Sequence, residues 1–500
     1  MTDAQTHAQT LFSRARAAQS QLAVSTLSER LAELGQLQQR IHQQRDQIAD
    51  RIVADTGKSR TDALVSELLG VLDYLQWLQG AAPAALADEK VSTPLALMGK
   101  SSRIWYEALG VVLVITPWNY PFHIAMTAIA PAFAAGNAVV LKPSEHTPLT
   151  GLIESLVDGL PLLSAALQIA QGAGEMAEAL IAQRPDRVSF TGSARTGRRI
   201  LAQCAPLLVP VDLELGGKDA MLVFEDVDLE RTSAGALWGA LTNGGQSCTA
   251  VERLYVHQSR YPEMVSRLRD RLDALVVCSG DTGNADIGAM TTDFQLEIVQ
   301  RHLADAAAKG ATIHGGGRIG DTRMLRPALV TDVRDDMLVV QEETFGPILV
   351  VQPFQDEQDS IRLANSTPFG LSASVWSKDL ARAERVARAL RVGAVSINNV
   401  MLTEGNPALP FGGVGESGYG RAKGVEGLRG MVRSKAVLID KQSSKIEANW
   451  FPYTQEKFAL FGGLIDGLFG RGLGRWVTFA KAGLKLEKQA QLPRSNGSDQ

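Results

Sequence analysis

Apolar residues fall along this 500-residue chain in more than one rhythm. Between residues 5 and 80, Leu22, Leu27, Leu31, Leu34 and Leu37 recur at helical spacing, with Gln and Arg between them. The Gln-rich patch 36–48 reads as a solvated helix face rather than as low-complexity sequence. Residues 91–109 are polar and strand-like. From residue 111 the rhythm changes. Short apolar runs at 111–115, 138–141, 167–170 and 187–190 alternate with helical stretches. That alternation predicts βαβ units around a parallel sheet buried on both faces. A second series has strand candidates at 221–223, 253–256, 325–330, 348–351, 373–376 and 395–397. Helices are expected over 227–242, 260–275, 291–309 and 379–390. The break between the two series lies near 218–221.

Length and composition narrow the class. Five hundred residues exceed one hydrophobic core, so about two to four domains or lobes are expected. A composition of 45% hydrophobic and 21% charged residues is ordinary for a globular protein. The net charge of −4 supplies no basic field, so no nucleic acid partner is expected. Cys204, Cys248 and Cys278 are too few and too irregular for a disulfide framework, and no Cys/His spacing suggests a metal. Free thiols suit a reducing compartment, so the expected location is cytoplasmic. The first residues look unlike a signal peptide, and no run of about 18 apolar residues predicts a membrane-spanning helix.

The candidate chemistry centres on two Gly-rich turns. Cys248 closes Asn243-Gly244-Gly245-Gln246-Ser247-Cys248, where glycines let a backbone approach a substrate closely. Glu214 lies in Leu213-Glu214-Leu215-Gly216-Gly217-Lys218 and offers a carboxylate base. A lone cysteine is more often a small buried hydrophobe. Two turns are candidates for a dinucleotide's phosphates. Gly172-Ala173-Gly174-Glu175-Met176-Ala177 fits the G-x-G-x-x-A pattern. Phe190-Thr191-Gly192-Ser193-Ala194-Arg195-Thr196-Gly197 follows another apolar run, and Ser193 there can cap a helix. Lys142, Ser144 and Glu145 follow the run 138–141, either as ribose ligands or as a solvated helix start.

The order of these words carries a resemblance. Ile115-Thr116-Pro117-Trp118-Asn119-Tyr120-Pro121 is followed by Gly136-Asn137-Ala138-Val139-Val140-Leu141-Lys142-Pro143-Ser144-Glu145. Then come the Gly192, Glu214 and Cys248 words, Glu342-Glu343-Thr344-Phe345-Gly346-Pro347, and Pro410-Phe411-Gly412-Gly413-Val414-Gly415. Over roughly residues 10–440 the chain resembles the NAD(P)-dependent aldehyde dehydrogenase superfamily. The resemblance implies an α/β fold: a Rossmann-like cofactor domain, an α/β catalytic domain and a small β oligomerisation arm. The cofactor domain would take 1–90 and 111–220, with 412–429 returning to it. The catalytic domain would take 221–411, and the arm 91–110 and 430–440. Base and nucleophile would then come from different lobes, facing a cleft.

It also implies roles. Cys248 would attack the aldehyde, Glu214 would activate the hydrolytic water, and the Asn119 amide with the Cys248 N–H would hold the oxyanion. The cofactor would be NAD, with NADP as an alternative. Thr116, Pro117 and Trp118 would line its site, and Gly192 would take the phosphates in preference to Gly172. Phe190, Ser193, Gly197, Leu215 and Gly216 would complete the surroundings. Lys142, Ser144 and Glu145 would meet the adenosine ribose, while Glu343 and Phe345 would meet the nicotinamide ribose and ring. Glu214 favours release of a free acid. A semialdehyde dehydrogenase, a coenzyme A-linked acyl-transferring enzyme and a non-catalytic paralogue are the alternatives. Val414-Gly415 leans towards class 3 and the fatty or aromatic aldehyde branches, whereas 424–429 is closer to others, so the subfamily stays open. A homodimer or homotetramer is expected.

Residues 441–500 exceed the shared core. Phe458, Phe461, Ile465, Leu468 and Phe469 have helical spacing. Packing on the body or a dimer mate, a lid over the substrate, weak peripheral membrane contact and disorder are the readings. The first is the main expectation, because such groups favour burial. Residues 491–500 are expected to be disordered.

Overall fold

The computed structural model describes residues 2–279, 283–441 and 444–491; most of the segment expected to be disordered therefore lies outside the described residues. The chain opens with helices Asp3–Leu22 and Leu27–Gln43. Each begins with a capping box, in which Thr2 and Thr26 accept the N3 amide and Gln5 and Glu29 reach back. Leu22, Leu34 and Leu37 are buried, as their spacing predicts.

The strands follow in order. β1 (Glu89–Val91) and β2 (Lys100–Ala108) precede β3 (Val111–Ile115), β4 (Ala138–Lys142), β5 (Leu167–Ile169), β6 (Arg187–Thr191) and β7 (Val211–Glu214). Then come β8 (Asp219–Val223), β9 (Val251–His257), β10 (Thr312–Gly315), β11 (Ala328–Thr331), β12 (Ile348–Phe354), β13 (Ser372–Trp376) and β14 (Ala394–Ile397). β15 (Gly418–Tyr419) and β16 (Val432–Asp440) close the series.

These strands form three sheets. One has the order β15-β7-β6-β3-β4-β5, with every pair parallel except β15 with β7. The second has the order β10-β11-β12-β9-β8-β13-β14, with only β10 antiparallel. β3, β4 and β8 are buried along their whole length, as expected for strands covered on both faces. The predicted break at 218–221 falls where β7 ends one sheet and β8 begins the other.

Some boundaries differ from expectation. The strand foreseen at 325–330 begins at Ala328, because Pro327 has no N–H for the ladder. In 91–109 a 3₁₀ turn at Leu95–Leu97 follows Pro94, and the long strand starts only at Lys100. β7, β10 and β15 carry no apolar run long enough to read.

The chain divides into two compact units. Met1–Ala87 with Tyr106–Ser434 forms the first, which contains the six- and seven-stranded sheets. Asp88–Trp105 with Lys435–Gln500 forms the second. The second unit takes part in the sheet β1-β2-β16 and carries a hairpin of helices Gln455–Phe469 and Arg475–Ala490. Among the described residues, no helix is long and apolar enough to cross a membrane.

The hairpin fixes which of its own apolar groups face the partner helix. Its helices meet through small residues: Gly463 lies against Ala482, and Gly467 against the Phe479 backbone. Phe458, Ile465 and Phe469 therefore point away from the partner helix and are 83%, 56% and 80% exposed. Phe461 and Leu468 are partly covered within the single chain.

Candidate active site

The six-stranded sheet sets the position of the site. From β3 the chain moves one way to β4 and β5, then returns to place β6 and β7 on the other side. The reversal opens a crevice at the carboxyl ends of β3 and β6, where such sheets bind nucleotides. Thr116, Pro117, Trp118 and Asn119 leave β3 on one side of it. Gly192 and Ser193 leave β6 on the other, and Ser193 caps helix Ala194–Cys204 by accepting from the Thr196 N–H. Gly197 in that helix makes room for Leu215, whose side chain a Cβ would strike. Gly172 is different: it follows the edge strand β5, which β3 and β4 separate from β6.

The β4 turn lies beside the crevice. Lys142 Nζ donates to Glu145 Oε2 at 2.9 Å. Burial opposes ionisation of Glu145, but the Lys142 hydrogen bond and charge outweigh it and hold the carboxyl below its ordinary range. The Ser144 hydroxyl accepts from the His146 N–H.

Glu214 ends β7 in register with Thr191, and its carbonyl accepts the Gly192 N–H at 3.0 Å. The proposed phosphate turn and proposed base are thus joined through the backbone. Both Glu214 carboxyl oxygens are buried and unpartnered. Burial pushes this carboxyl well above its usual range; Arg421 and Lys423 oppose the shift and Asp212 adds to it. A Cβ on Gly412 would stand 2.7 Å from Glu214 Oε1, so glycine there keeps the space beside the carboxyl open.

The Cys248 loop comes from the other sheet. Asn243, Gly244 and Gly245 all have positive φ, turning the chain sharply after helix Leu229–Leu241. The Cys248 carbonyl packs so close to Gly217 that any Cβ there would collide with it. Gly217 thereby brings the Glu214 turn against the Cys248 loop. Burial pushes the Cys248 thiol well up, and the charges of Glu404, Asp219, Glu343 and Glu214 push the same way.

A buried ion pair between Lys218 and Glu252 organises the third wall. The Glu252 carboxylate accepts the Thr344 and Phe345 N–H groups, and Phe345 has a φ of 52°. The Phe345 ring meets Trp118 edge-on at 5.4 Å. Glu343 Oε1 accepts the Gly217 N–H at 2.9 Å, beside Gly216, and burial raises its carboxyl to about 8.

Asn119 Nδ2 donates to the Gln246 carbonyl at 3.0 Å, which leaves its second N–H for another acceptor. Thr116 Oγ1 and Asn119 Oδ1 are buried without a partner. Such orphaned groups call for a ligand or water to complete them. The residues of this edge therefore fit a dinucleotide with an aldehyde beside it.

Several groups here were not legible in the sequence. Glu404 accepts from the Thr249 hydroxyl at 3.0 Å, one residue beyond the thiol. Buried Lys423 donates to the Glu404 carbonyl. Neither stands in a recognisable word. Asn243 and Gln246 do, within the Cys248 loop, but only their spatial partners reveal what they hold.

A crevice at a strand-order switch, with a thiol and a buried carboxyl beside it, places a nucleophile and a base next to a nucleotide-binding edge. Comparisons define it further. Residues 2–437 match the model of the aldehyde dehydrogenase family. The chain is 43% identical over 446 residues to 4,4'-diapolycopene aldehyde oxidase of Methylomonas sp, covering 89% of this chain and 84% of the relative. A putative aldehyde dehydrogenase, PutA, from Anabaena variabilis superposes with a TM-score of 0.85 at 35% identity, covering 90% and 96%. The Staphylococcus aureus betaine aldehyde dehydrogenase solved with NAD+ gives 0.83 at 31% identity, covering 89% of each chain. The chain belongs to the aldehyde dehydrogenase family. It is an NAD(P)-dependent enzyme that oxidises an aldehyde to the carboxylic acid, as the order of its sequence words predicts.

Proposed function

We propose that Cys248 is the nucleophile, Glu214 the hydrolytic base and Asn119 an oxyanion donor. The Cys248 thiol passes its proton to water, and the thiolate sulfur adds to the aldehyde carbon. The oxygen of the resulting thiohemiacetal takes a hydrogen bond from the free Asn119 N–H. NAD(P), held by the residues of the crevice, would supply the acceptor for the hydride that leaves that carbon. Glu214 then takes a proton from water, which attacks the thioester and releases the acid and the thiol. The observation that carries this reading is the Glu214 carboxyl, buried beside the Cys248 loop with both oxygens unpartnered. Gly192, Ser193, Thr116 and Trp118 would hold the cofactor across the crevice, with Lys142 and Glu145 at its adenosine end. Glu343 and Phe345 would meet its nicotinamide end. Residues 221–411 supply the thiol and 111–220 the base, as catalytic and cofactor domains.

The substrate we infer is a long apolar aldehyde. The Methylomonas relative is a diapolycopene aldehyde oxidase, and the hairpin supports delivery from a lipid surface. Phe458, Ile465 and Phe469 form one exposed ridge, and Leu473, Val477 and Leu484 another. Exposed Lys481, Lys485 and Lys488 run beside the second. An apolar ridge beside a row of lysines suits an anionic membrane surface. β16, an edge strand, suits pairing with a second copy in a homodimer or homotetramer. A cytoplasmic location agrees with the free thiols of Cys204, Cys248 and Cys278.

Reduction of NAD+ and of NADP+ is measured against saturated aldehydes of increasing length, with and without coenzyme A. We expect kcat/KM to rise with length, free acid as product, and no dependence on coenzyme A. Cys248→Ala should abolish turnover and keep NAD+ binding, while Cys204→Ala and Cys278→Ala stay active. Turnover by Cys248→Ala would overturn the assignment of the nucleophile.

A further inference from the structure

Two charged residues of the N-terminal segment are buried completely and take no part in the chemistry above. The Lys58 and Glu67 side chains are 0% exposed and form an ion pair at 2.6 Å. Removing two charges from water is costly, and a buried pair is weak evidence for stability by itself. What the pair holds is more specific. Lys58 Nζ also donates to the Asn119 carbonyl at 2.8 Å and stands 4.4 Å from the centre of the Tyr120 ring. Glu67 Oε2 accepts the Phe122 and His123 N–H groups at 2.8 and 3.0 Å. These amides are free because they open helix Pro121–Ala134. The pair therefore grips the chain on both sides of Tyr120, by a carbonyl before it and two amides after it. Glu67 itself lies in a π-helix, Ala63–Leu69, a form that gathers at functional sites.

The same Asn119 is tied to the nucleophile loop. Asn243 Nδ2 bridges the Asn119 carbonyl and the Gln246 carbonyl, both at 3.1 Å. Asn119 Nδ2 donates to that Gln246 carbonyl as well. One uninterrupted chain of hydrogen bonds thus runs from Glu67 through Lys58, Asn119 and Asn243 to Gln246, two residues from Cys248.

We propose that Lys58 and Glu67 are positioning residues that set the Asn119 amide relative to Cys248. The inference rests on Asn119 acting as the oxyanion donor. Removing either charge leaves its partner buried and unpaired, and residues 119–123 lose an anchor. A shift of about 1 Å in such a donor costs on the order of a hundredfold in rate.

The test compares two reactions of the same thiol in the full-length protein. Acylation by 4-nitrophenyl acetate passes through a tetrahedral oxyanion as sulfur displaces 4-nitrophenolate. Alkylation by iodoacetamide displaces iodide and develops no oxyanion. In Lys58→Met we expect aldehyde kcat and the acylation rate to fall about a hundredfold. The KM for NAD+ and the alkylation rate should stay within about twofold. Glu67→Gln keeps one acceptor oxygen and should fall about tenfold in the same pattern; it carries the comparison if Lys58→Met does not fold. Equal loss of acylation and alkylation would reduce the pair to a structural role, and acylation at the parent rate would overturn the proposal. Asn119→Ala is the reference. If it loses acylation while Lys58→Met does not, this inference alone fails; if Asn119→Ala keeps acylation, the oxyanion assignment fails.

Discussion

The cleft and the C-terminal hairpin break the ordinary distribution of residues in opposite senses. Near the thiol, Lys58, Glu67, Lys218, Glu214, Glu252 and Glu343 bury charged groups that normally face water. On the hairpin, Phe458, Phe469 and Leu473 leave large apolar groups in water, each more than three-quarters exposed. A buried charge and an exposed apolar ridge are the two informative departures from a soluble protein's norm. The first draws strength from exclusion of water, which sharpens every electrostatic interaction and moves proton affinities. The second forgoes about 1.5–3 kcal/mol per side chain that burial would return, which is sensible only if another surface covers it. The cleft concentrates charge inside the chain, and the hairpin presents apolar surface outside it.

The largest effect should come from the buried carboxyl. Glu214→Gln keeps its shape and loses the base. A burst of reduced cofactor should survive, followed by a steady state slower by about 10²–10⁴-fold. The pH profile sharpens the point. Burial raises the Glu214 pKa, and only the ionised form accepts a proton from water. Steady-state turnover in the parent should therefore rise as pH climbs through that raised pKa and be lost below it. The Gln variant should lack this limb. Loss of burst and steady state together would make Glu214 an earlier or purely structural group, and the contrast between the regions would weaken.

The hairpin should respond to a different change. Replacing Lys481, Lys485 and Lys488 with Gln removes about 1 kcal/mol of attraction per charge. Affinity for anionic vesicles should drop about a hundredfold, with kcat on a short soluble aldehyde unchanged. If the parent ignores vesicles and the variant changes oligomer size in sedimentation, the ridge faces a second copy instead.

The smallest expected effect is at the cofactor turn. Glu145→Ser removes a carboxylate that would repel a 2′-phosphate and the partner of Lys142. The ratio of NAD+ to NADP+ efficiency should fall several-fold, within the 0.5–3 kcal/mol or so of a typical point change. An unchanged ratio would remove Glu145 from the ribose.

Much of this molecule was readable without coordinates, for definite reasons. Strands such as Val111–Ile115 and Ala138–Lys142 are continuous apolar runs because both faces are covered, and that pattern is local. The words around Gly192, Glu214 and Cys248 stand out because tight turns and close backbone approach demand particular residues. The hairpin's outcome was not readable. Helical spacing of Phe458, Ile465 and Phe469 reveals a ridge, but Gly463, Gly467 and Ala482 decide that the partner helix takes the opposite face.

The amino-acid sequence by itself determined the family, the reaction class, the buried apolar strands of the two parallel series and the candidate nucleophile and base. Each rests on local spacing or on residues that neighbours in the chain make recognisable. The tertiary structure alone decided the order of strands within each sheet, and with it why Gly192 rather than Gly172 borders the crevice. It alone joined Lys58 and Glu67 to Asn119, and Gly217 to the Cys248 carbonyl. Those contacts link residues far apart in the chain, and a one-dimensional pattern does not record which distant groups a fold makes neighbours.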